Sequence, residues 1–139
     1  MAMATQKRAS ILLVEDEPAI SDVAAEALVE QGFEVRAVAN ASEALRCLSA
    51  GEPIDVLFTD INLPGGMDGA VLARRARELR PGLPVMYTSG RQSVIEHLDP
   101  IEGSMFVPKP YNPFDLGRLL DYLMAAKLIT EPFKSTVKA

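Results

Sequence analysis

Three carboxylates in this sequence stand where short apolar runs end. Glu15 and Asp16 directly follow the run Ser10–Val14, and Asp60 closes a run that begins near residue 54. Carboxylates brought within a few ångströms repel one another, and some take up protons unless a cation joins them. An oxygen-only ligand set without histidine or cysteine favours magnesium over zinc. The pattern therefore predicts a Mg²⁺ site, and Asp60 is also able to attack phosphorus and form an aspartyl phosphate.

Polar groups also end two later apolar runs. Thr88 and Ser89 follow the run that starts at Pro84, and Lys109 follows the run at residues 104–107. A lysine supplies a point charge for phosphoryl oxygens, and a hydroxyl can hydrogen-bond a phosphoryl group once it is attached. Such a group adds roughly −1.5 to −2 charge, enough to draw a hydroxyl and its loop inward. These residues together predict a switch.

The segments between these positions predict the scaffold. Apolar runs of strand length cover residues 10–14, 33–39, 54–59, 84–87 and 104–107. Apolar residues at helical spacing predict helices over 18–30, 41–50 and 70–79, a weaker helix over 91–98, and a last helix opened by Pro113. This alternation predicts an α/β fold with a doubly wound, five-stranded parallel sheet of flavodoxin-like order 2-1-3-4-5 and helices on both faces. The binding crevice of such a sheet lies at the carboxyl ends of its strands, where the polar groups converge.

Composition restricts the class of protein. The chain has 139 residues, which suits one domain, and its net charge of −5 argues against a nucleic-acid surface, so we expect no direct DNA binding. No apolar stretch approaches the roughly 20 residues of a membrane span, and the single Cys47 fits a reducing compartment, so we expect a cytoplasmic protein. We expect a flexible tail at 1–9, the domain at 10–128, and a short tail at 129–139 without an output domain.

The sequence resembles the receiver domain of bacterial two-component response regulators from about residue 10 to residue 126. Residues 14–18 resemble the family's acidic pair, with Glu15 in a place more often held by Asp. Residues 60–69 resemble the phosphoacceptor strand and loop, and Lys109–Pro110 resembles the Lys-Pro pair, whose peptide bond is cis in the family.

The resemblance implies a role for each matching residue. Asp60 would take a phosphoryl group from a phosphohistidine on a sensor histidine kinase or phosphotransfer protein. Asp16, Asp60 and the main-chain carbonyl of Asn62 would hold Mg²⁺, and Glu15 would reach the ion directly or through water. Lys109 would contact the phosphoryl oxygens.

The resemblance also implies a switch and docking faces. Counted from Pro84, Ser89 rather than Thr88 matches the family's Ser/Thr switch, and Phe106 stands where receivers carry an aromatic switch. The face formed by the fourth helix, fifth strand and fifth helix often docks partners or dimerises in the family, so a homodimer and an unidentified downstream protein are expected partners.

The leading hypothesis is a phosphorylation-switched receiver in a His–Asp phosphorelay, which signals through partner binding or serves as a phosphate shuttle or sink. We expect no turnover enzyme beyond self-phosphorylation and autodephosphorylation. An aspartate-nucleophile phosphohydrolase is the main alternative, but it needs a second Asp where this chain has Asn62. A receiver that binds partners without phosphorylation is a further alternative, and a flavodoxin is disfavoured because no phosphate loop follows the first strand.

Each of these residues taken singly has an ordinary structural explanation. The acidic pair could be a solvated turn at a helix N-terminus, Asp60 a turn aspartate, and Lys109 a surface lysine. His97 is expected on a helix surface and Cys47 in packing. A last set of apolar residues is expected in the core: Phe114, Leu120 and Met124.

Overall fold

The structure, a computed structural model, describes residues 8–126. The tail predicted at 129–139 lies outside these residues, as does all but Arg8 and Ala9 of the tail predicted at 1–9. Those two residues already pair with the chain that enters the second strand, since Arg8 N donates to Gly32 O and Ala9 O accepts from Glu34 N. None of the helices in the described part is long and apolar enough to cross a membrane.

Strands and helices alternate along the chain. In order they are β1 Ser10–Val14, α1 Pro18–Glu30, β2 Glu34–Val38, α2 Ala41–Ser49, β3 Val56–Asp60, α3 Gly69–Leu79, β4 Val85–Ser89, α4 Gln92–His97, β5 Ser104–Pro108, a 3₁₀ turn Pro113–Asp115, and α5 Leu116–Ala126. The five strands form one sheet of order β2-β1-β3-β4-β5, and every neighbouring pair is parallel. The predicted fold class and strand order are confirmed.

The burial of the strands follows from their positions in the sheet. Strands β3 and β4 are buried along their whole length, as expected for inner strands covered on both faces. Strand β2 exposes Glu34, Arg36 and Ala37 at one edge of the sheet, whereas β5 at the other edge is buried except at Pro108. The alternation of charged and apolar residues in the sequence predicted this edge.

Two hydrophobic clusters cover the two faces of the sheet. Helices α2 and α3 contribute Ala44, Leu48 and Leu72, among others, to the cluster on one face. Helices α1 and α5 contribute Leu28 and Leu120, among others, to the cluster on the opposite face. We call these the α2/α3 face and the α1/α5 face. Cys47 is buried on the α2/α3 face, as predicted.

Three strands are longer at their carboxyl ends than predicted: β3, β4 and, by Pro108 alone, β5. Strand β3 includes Asp60 and strand β4 includes Thr88 and Ser89, so these polar residues are the last residues of strands and are fixed by ladder pairing. The main chain of Ile61 continues this pairing, since its N–H donates to Thr88 O. The chemistry-bearing side chains are therefore held on rigid elements.

The prediction that Phe114 lies in the core is wrong. Its side chain is 69% exposed, whereas Leu120 is buried and Met124 is partly buried against the α1/α5 face. Residues Pro113–Asp115 form a 3₁₀ turn, and the α-helix starts only at Leu116. A 3₁₀ turn has three residues per turn, so helical spacing counted from Pro113 does not give the direction of Phe114.

Gln31 ties helix α1 to the beginning of helix α5. Its Nε2 donates to Pro113 O at 3.1 Å, and its Oε1 accepts from Gly117 N at 2.9 Å. The Gly117 amide lies in the first turn of α5, where backbone N–H groups have no partner inside the helix. This side chain therefore holds the two helices that cover the α1/α5 face in a fixed position relative to each other.

Candidate functional site

The site is organised around the ammonium group of Lys109. Its Nζ lies 2.7 Å from Asp60 Oδ2 and 3.0 Å from Glu15 Oε1, so one lysine from the end of β5 pairs with carboxylates at the ends of β3 and β1. The Lys109 N–H also donates to Ser89 O at 3.0 Å, which holds the base of the side chain against β4. The convergence predicted for the carboxyl ends of the strands is present in the structure.

These charged groups are largely buried. The fractional exposure of Glu15 is 4% and that of Asp60 is 5%. Burial raises the pKa of Glu15 above its ordinary value, although hydrogen bonds from Lys109 and from Glu17 N oppose this. Burial alone would lower the pKa of Lys109, but the hydrogen bonds to Asp60 and Glu15 raise it on balance. The lysine therefore remains a cation at neutral pH.

An acidic cluster lies at the switch point of the sheet, between β1 and β3. One carboxylate oxygen from each of Glu15, Asp16 and Asp60 lies within 4.8 Å of the others. Asp16 is exposed, whereas the other two residues are buried, so the cluster opens to solvent on one side. Three hard oxygen donors without nitrogen or sulfur fit Mg²⁺, which takes one or two carboxylates and retains water molecules. The donor set thus fits the predicted metal.

The loop after Asp60 is built around its carboxylate and its main chain. Asn62 N donates to Asp60 Oδ1 at 2.9 Å, which orients the carboxylate. Gly69, the first residue of α3, packs so closely that a Cβ there would overlap Asp60 O and lie 2.8 Å from Ile61 Cα. Glycine is thus required for helix α3 to approach the strand end. The tight contact was not predicted from the sequence, although Gly69 belongs to the motif that resembles the phosphoacceptor loop.

Ser89 is linked to Asp60 through Asn62. The Ser89 hydroxyl donates to Asn62 Oδ1 at 3.0 Å and accepts from Arg91 N at 3.1 Å. Ser89 is completely buried, so this hydroxyl is held in one position by two fixed partners. Asn62 therefore connects the hydroxyl of Ser89, the predicted switch residue, to the carboxylate of Asp60.

Phe106 lies on the α2/α3 face with its side chain turned inward. It is 8% exposed and stands opposite Tyr87 in the β4–β5 ladder. The peptide bond between Lys109 and Pro110 is cis, as the resemblance implied. His97 is exposed on α4, in agreement with the prediction that it is a surface residue.

An apolar groove of about 650 Å³ adjoins the site on the α1/α5 side. Helix α1 lines it with Ile20 and Val23, and the segment after β5 lines it with Lys109 and Tyr111. Val23 is 55% exposed, although its spacing in the sequence matched that of the buried residues of α1. The Tyr111 ring packs against Phe58, with 5.8 Å between ring centroids, and burial raises the pKa of its phenol to about 12. Sequence reasoning missed this groove, because it forms between elements distant in the chain.

The sheet order and the acidic cluster at its switch point define a flavodoxin-like α/β domain with its site at the carboxyl edge. The chain belongs to the response regulator receiver domain family, which matches residues 11–121.

Curated relatives are response regulators. The transcriptional regulatory protein AruR of Pseudomonas aeruginosa is 33% identical over 112 residues, which cover 76% of this chain and 45% of that protein. The DNA-binding transcriptional regulator NtrC of a Bradyrhizobium species is 33% identical over 123 residues, covering 88% of this chain and 25% of that protein. The chain thus spans less than half the length of these relatives.

Solved structures agree with the family. A response regulator receiver protein from Sinorhizobium medicae is 31% identical, with a TM-score of 0.79 and coverage of 86% of this chain and 96% of that one. A CheY-like receiver domain from Methanospirillum hungatei is 29% identical, with a TM-score of 0.72 and coverage of 86% and 95%. The chain is therefore a receiver domain homologous to the response regulators of two-component signalling.

Proposed function

We propose that this receiver accepts a phosphoryl group on Asp60 from a phosphohistidine of a sensor histidine kinase or phosphotransfer protein. The observation that supports this most directly is the pairing of Lys109 Nζ with Asp60 Oδ2 at 2.7 Å inside a buried acidic cluster. A carboxylate held beside a fixed cation is prepared for the charge that a phosphoryl group brings.

The reaction is an exchange of one bond for another at phosphorus. A carboxylate oxygen of Asp60 forms the O–P bond, and the P–N bond to the donor imidazole breaks with its electron pair returning to that nitrogen. Lys109 compensates charge on the phosphoryl oxygens, and Asn62 N keeps the carboxylate oriented for attack. A carboxylate oxygen carries no proton that must be removed during attack, so the step needs no general base.

Glu15, Asp16 and Asp60 would hold Mg²⁺, with the main-chain carbonyl of Asn62 as a further ligand. When bound, the ion supplies charge compensation for the transferring phosphoryl group. Glu15 already accepts from Lys109 and from Glu17 N, so its carboxylate is oriented toward the cluster before any ion arrives.

A phosphatase-like turnover enzyme is not the function we propose. Asn62 stands two residues after Asp60 and donates its N–H to the Asp60 carboxylate, while its carboxamide oxygen accepts from Ser89. A carboxamide cannot act as a general acid or base. We therefore propose an acceptor whose phosphorylated form persists long enough to signal.

Signalling would proceed through Ser89 and Phe106. The acyl phosphate offers new acceptor oxygens to the Ser89 hydroxyl, which would exchange its Asn62 contact for one to the phosphoryl group. Movement of β4 would then change the space beside Phe106 on the neighbouring strand. The altered surface would bind a downstream protein or form a homodimer, or the protein would pass its phosphoryl group on as a shuttle or sink.

We propose that the phosphodonor protein docks in the apolar groove between α1 and the segment after β5. The groove shares Lys109 with the site, and its lining residue Val23 is 55% exposed. Exposed apolar residues beside a reactive group are typical of a protein-binding surface. We also propose a cytoplasmic location. Phosphoryl transfer from a kinase fits that compartment, and so does the free thiol of Cys47.

The test is phosphoryl uptake by the purified chain. Incubation with acetyl phosphate or phosphoramidate and Mg²⁺ should add one phosphoryl group to the intact mass, and Asp60→Ala should add none. Chelation of Mg²⁺ should abolish the gain. No uptake by the wild type would contradict the proposal and favour an adaptor that acts without phosphorylation, whereas turnover of the donor without a phosphorylated protein would favour a hydrolase.

A further inference from the structure

Thr88 carries a buried hydroxyl group without a hydrogen-bond partner in the part of the chain that the structure describes. Its side chain is 2% exposed, and its Oγ1 lies out of contact with solvent. The other buried serine and threonine hydroxyls of the strands are paired: Thr59 with Asp60 O, Ser89 with Asn62 and Ser104 with Ile101 O. Buried polar groups are nearly always hydrogen-bonded, so this unpaired hydroxyl calls for an explanation, and a functional role is one that such groups have.

The position of this hydroxyl beside the acceptor is fixed by the sheet. Thr88 stands opposite Asp60 in the β3–β4 ladder, and registered residues on neighbouring strands lie about 4.8 Å apart. Phe58 lies two residues before Asp60, and Met86 lies two residues before Thr88. Both side chains belong to the hydrophobic cluster on the α1/α5 face. Side chains alternate between faces along a strand, so Asp60 and Thr88 both point to the α1/α5 face.

The Lys109 side chain also passes close to Thr88, from the side of β4 that faces β5. It follows β5, and β4 separates β5 from β3, so its side chain must cross β4 to reach Asp60. A Cβ on Gly90 would lie 3.6 Å from Lys109 Cβ, which locates the crossing directly after Thr88 and Ser89. Thr88 therefore lies between the nucleophile on one neighbouring strand and the base of the lysine on the other.

The two acceptor atoms of Asp60 are each occupied in the unphosphorylated protein. Oδ1 accepts from Asn62 N and Oδ2 accepts from Lys109 Nζ, while Thr88 Oγ1 contacts neither. Phosphorylation adds three oxygen acceptors at this point and more negative charge. A threonine hydroxyl needs only a rotation about χ1 or about its C–O bond to direct its hydrogen at a new acceptor.

We propose that Thr88 is a second hydroxyl donor for the phosphorylated site, which donates a hydrogen bond to an oxygen of the acyl phosphate on Asp60. It acts from the α1/α5 face of β4, whereas Ser89 acts from the opposite face of the same strand. Thr88 forms no bond to phosphorus and keeps its proton. This inference rests on the proposed phosphorylation of Asp60, and it assigns to Thr88 stabilisation of the phosphorylated state.

One substitution should affect the two states of the protein in opposite directions. Thr88→Val keeps the shape of the side chain and removes the unpaired hydroxyl, so the unphosphorylated protein should be as stable as the wild type or more stable. The same change removes a donor to the phosphorylated site, so affinity for beryllofluoride, which mimics the phosphoryl group on the aspartate, should fall roughly three- to tenfold. A residue that merely fills space would not separate these two quantities.

The experiment measures the beryllofluoride affinity of the full chain in Mg²⁺ by ¹⁹F NMR, and the thermal midpoint without ligand. Thr88→Ser should keep near wild-type affinity because it retains the donor. Ser104→Ala, which removes a paired hydroxyl at the far end of β5, should lower the midpoint and leave the affinity unchanged.

Two outcomes would overturn the inference: equal beryllofluoride affinity in Thr88→Val and the wild type, or a weakened Thr88→Val that Thr88→Ser does not restore. Failure of the wild type to bind beryllofluoride at all would instead contradict the proposed function itself, and the inference with it.

Discussion

The Ser89 hydroxyl donates a hydrogen bond to the Asn62 carboxamide oxygen across 3.0 Å, which joins the end of β4 to the loop after β3. Asn62 in turn donates its N–H to Asp60 Oδ1, so the acceptor and the switch hydroxyl share one residue as a partner. A contact that must be given up on phosphorylation opposes the switch. If Asp60 is phosphorylated as proposed, Asn62 would help to set how readily the receiver changes state.

Asn62→Ala should lower the free energy of unfolding by about 1 kcal/mol, because the buried Ser89 hydroxyl loses its acceptor. The loss should shrink in Mg²⁺ and beryllofluoride, where Ser89 has a phosphoryl-like acceptor instead. Urea denaturation with and without beryllofluoride measures both. Asn40→Ala, which removes the N-cap of α2, should cost about the same in both conditions. An Asn62→Ala deficit that is equal in the two conditions would contradict this role.

Lys109→Ala should lower the free energy of unfolding in the absence of divalent ions by roughly 2–4 kcal/mol, because it leaves two buried carboxylates without their cation. Added Mg²⁺ should recover part of the loss by joining the same carboxylates. Denaturant titrations in chelator and in Mg²⁺ measure this. The control Arg118→Ala removes an exposed partner of Asp115 and should cost less than about 1 kcal/mol. Equal losses in the two variants would show that Lys109 is not a stabilising counterion.

Gly69→Ala should destabilise the protein by about 2–3 kcal/mol, since the added methyl would press against the Asp60 carbonyl and displace α3. Gly65→Ala is the matched comparison in the same loop. Gly65 has a φ of 89°, but a Cβ added there would meet no atom within 4 Å, so its cost is backbone strain alone, about 1 kcal/mol. Thermal unfolding of both variants measures the difference, and a Gly69→Ala variant as stable as Gly65→Ala would rule out the close approach.

Val23→Asp should slow phosphoryl transfer from an autophosphorylated histidine kinase by roughly tenfold or more, because it places a charge in the proposed docking groove. Labelling by acetyl phosphate should be unchanged, since a small donor needs no groove. Val29→Asp is the control: it lies on the same helix, is 57% exposed and does not line the groove. The kinase is chosen from a panel as the one that labels the wild type fastest. Equal transfer to both variants would place the docking surface elsewhere.

The parts of the fold that depend on local pattern could be predicted from the sequence. Buried runs such as Val56–Asp60 and the exposed alternation of β2 each follow from one segment and its position in the sheet. The convergence of Asp60 and Lys109 followed from the rule that parallel strands end at one edge. Contacts between side chains of distant elements could not be predicted in this way.

Three features show this limit. The bond between Ser89 and Asn62 depends on the end of β4 meeting the loop after β3, and the unpaired hydroxyl of Thr88 depends on what its neighbours already bind. Phe114 is exposed because it lies in a 3₁₀ turn, and in the sequence the residues of this turn cannot be distinguished from the start of the α-helix that follows. In each case the deciding quantity is the geometry of packing, which residue spacing does not contain.

The most direct test of the proposed function is to locate the phosphoryl group. After labelling with acetyl phosphate and Mg²⁺, borohydride reduces an aspartyl phosphate to homoserine, and peptide mass spectrometry then identifies the converted residue. We predict homoserine at position 60 and nowhere else, with none formed in unlabelled protein or in Asp60→Asn. Conversion at another aspartate, or a labelled protein without homoserine at position 60, would contradict phosphorylation of Asp60.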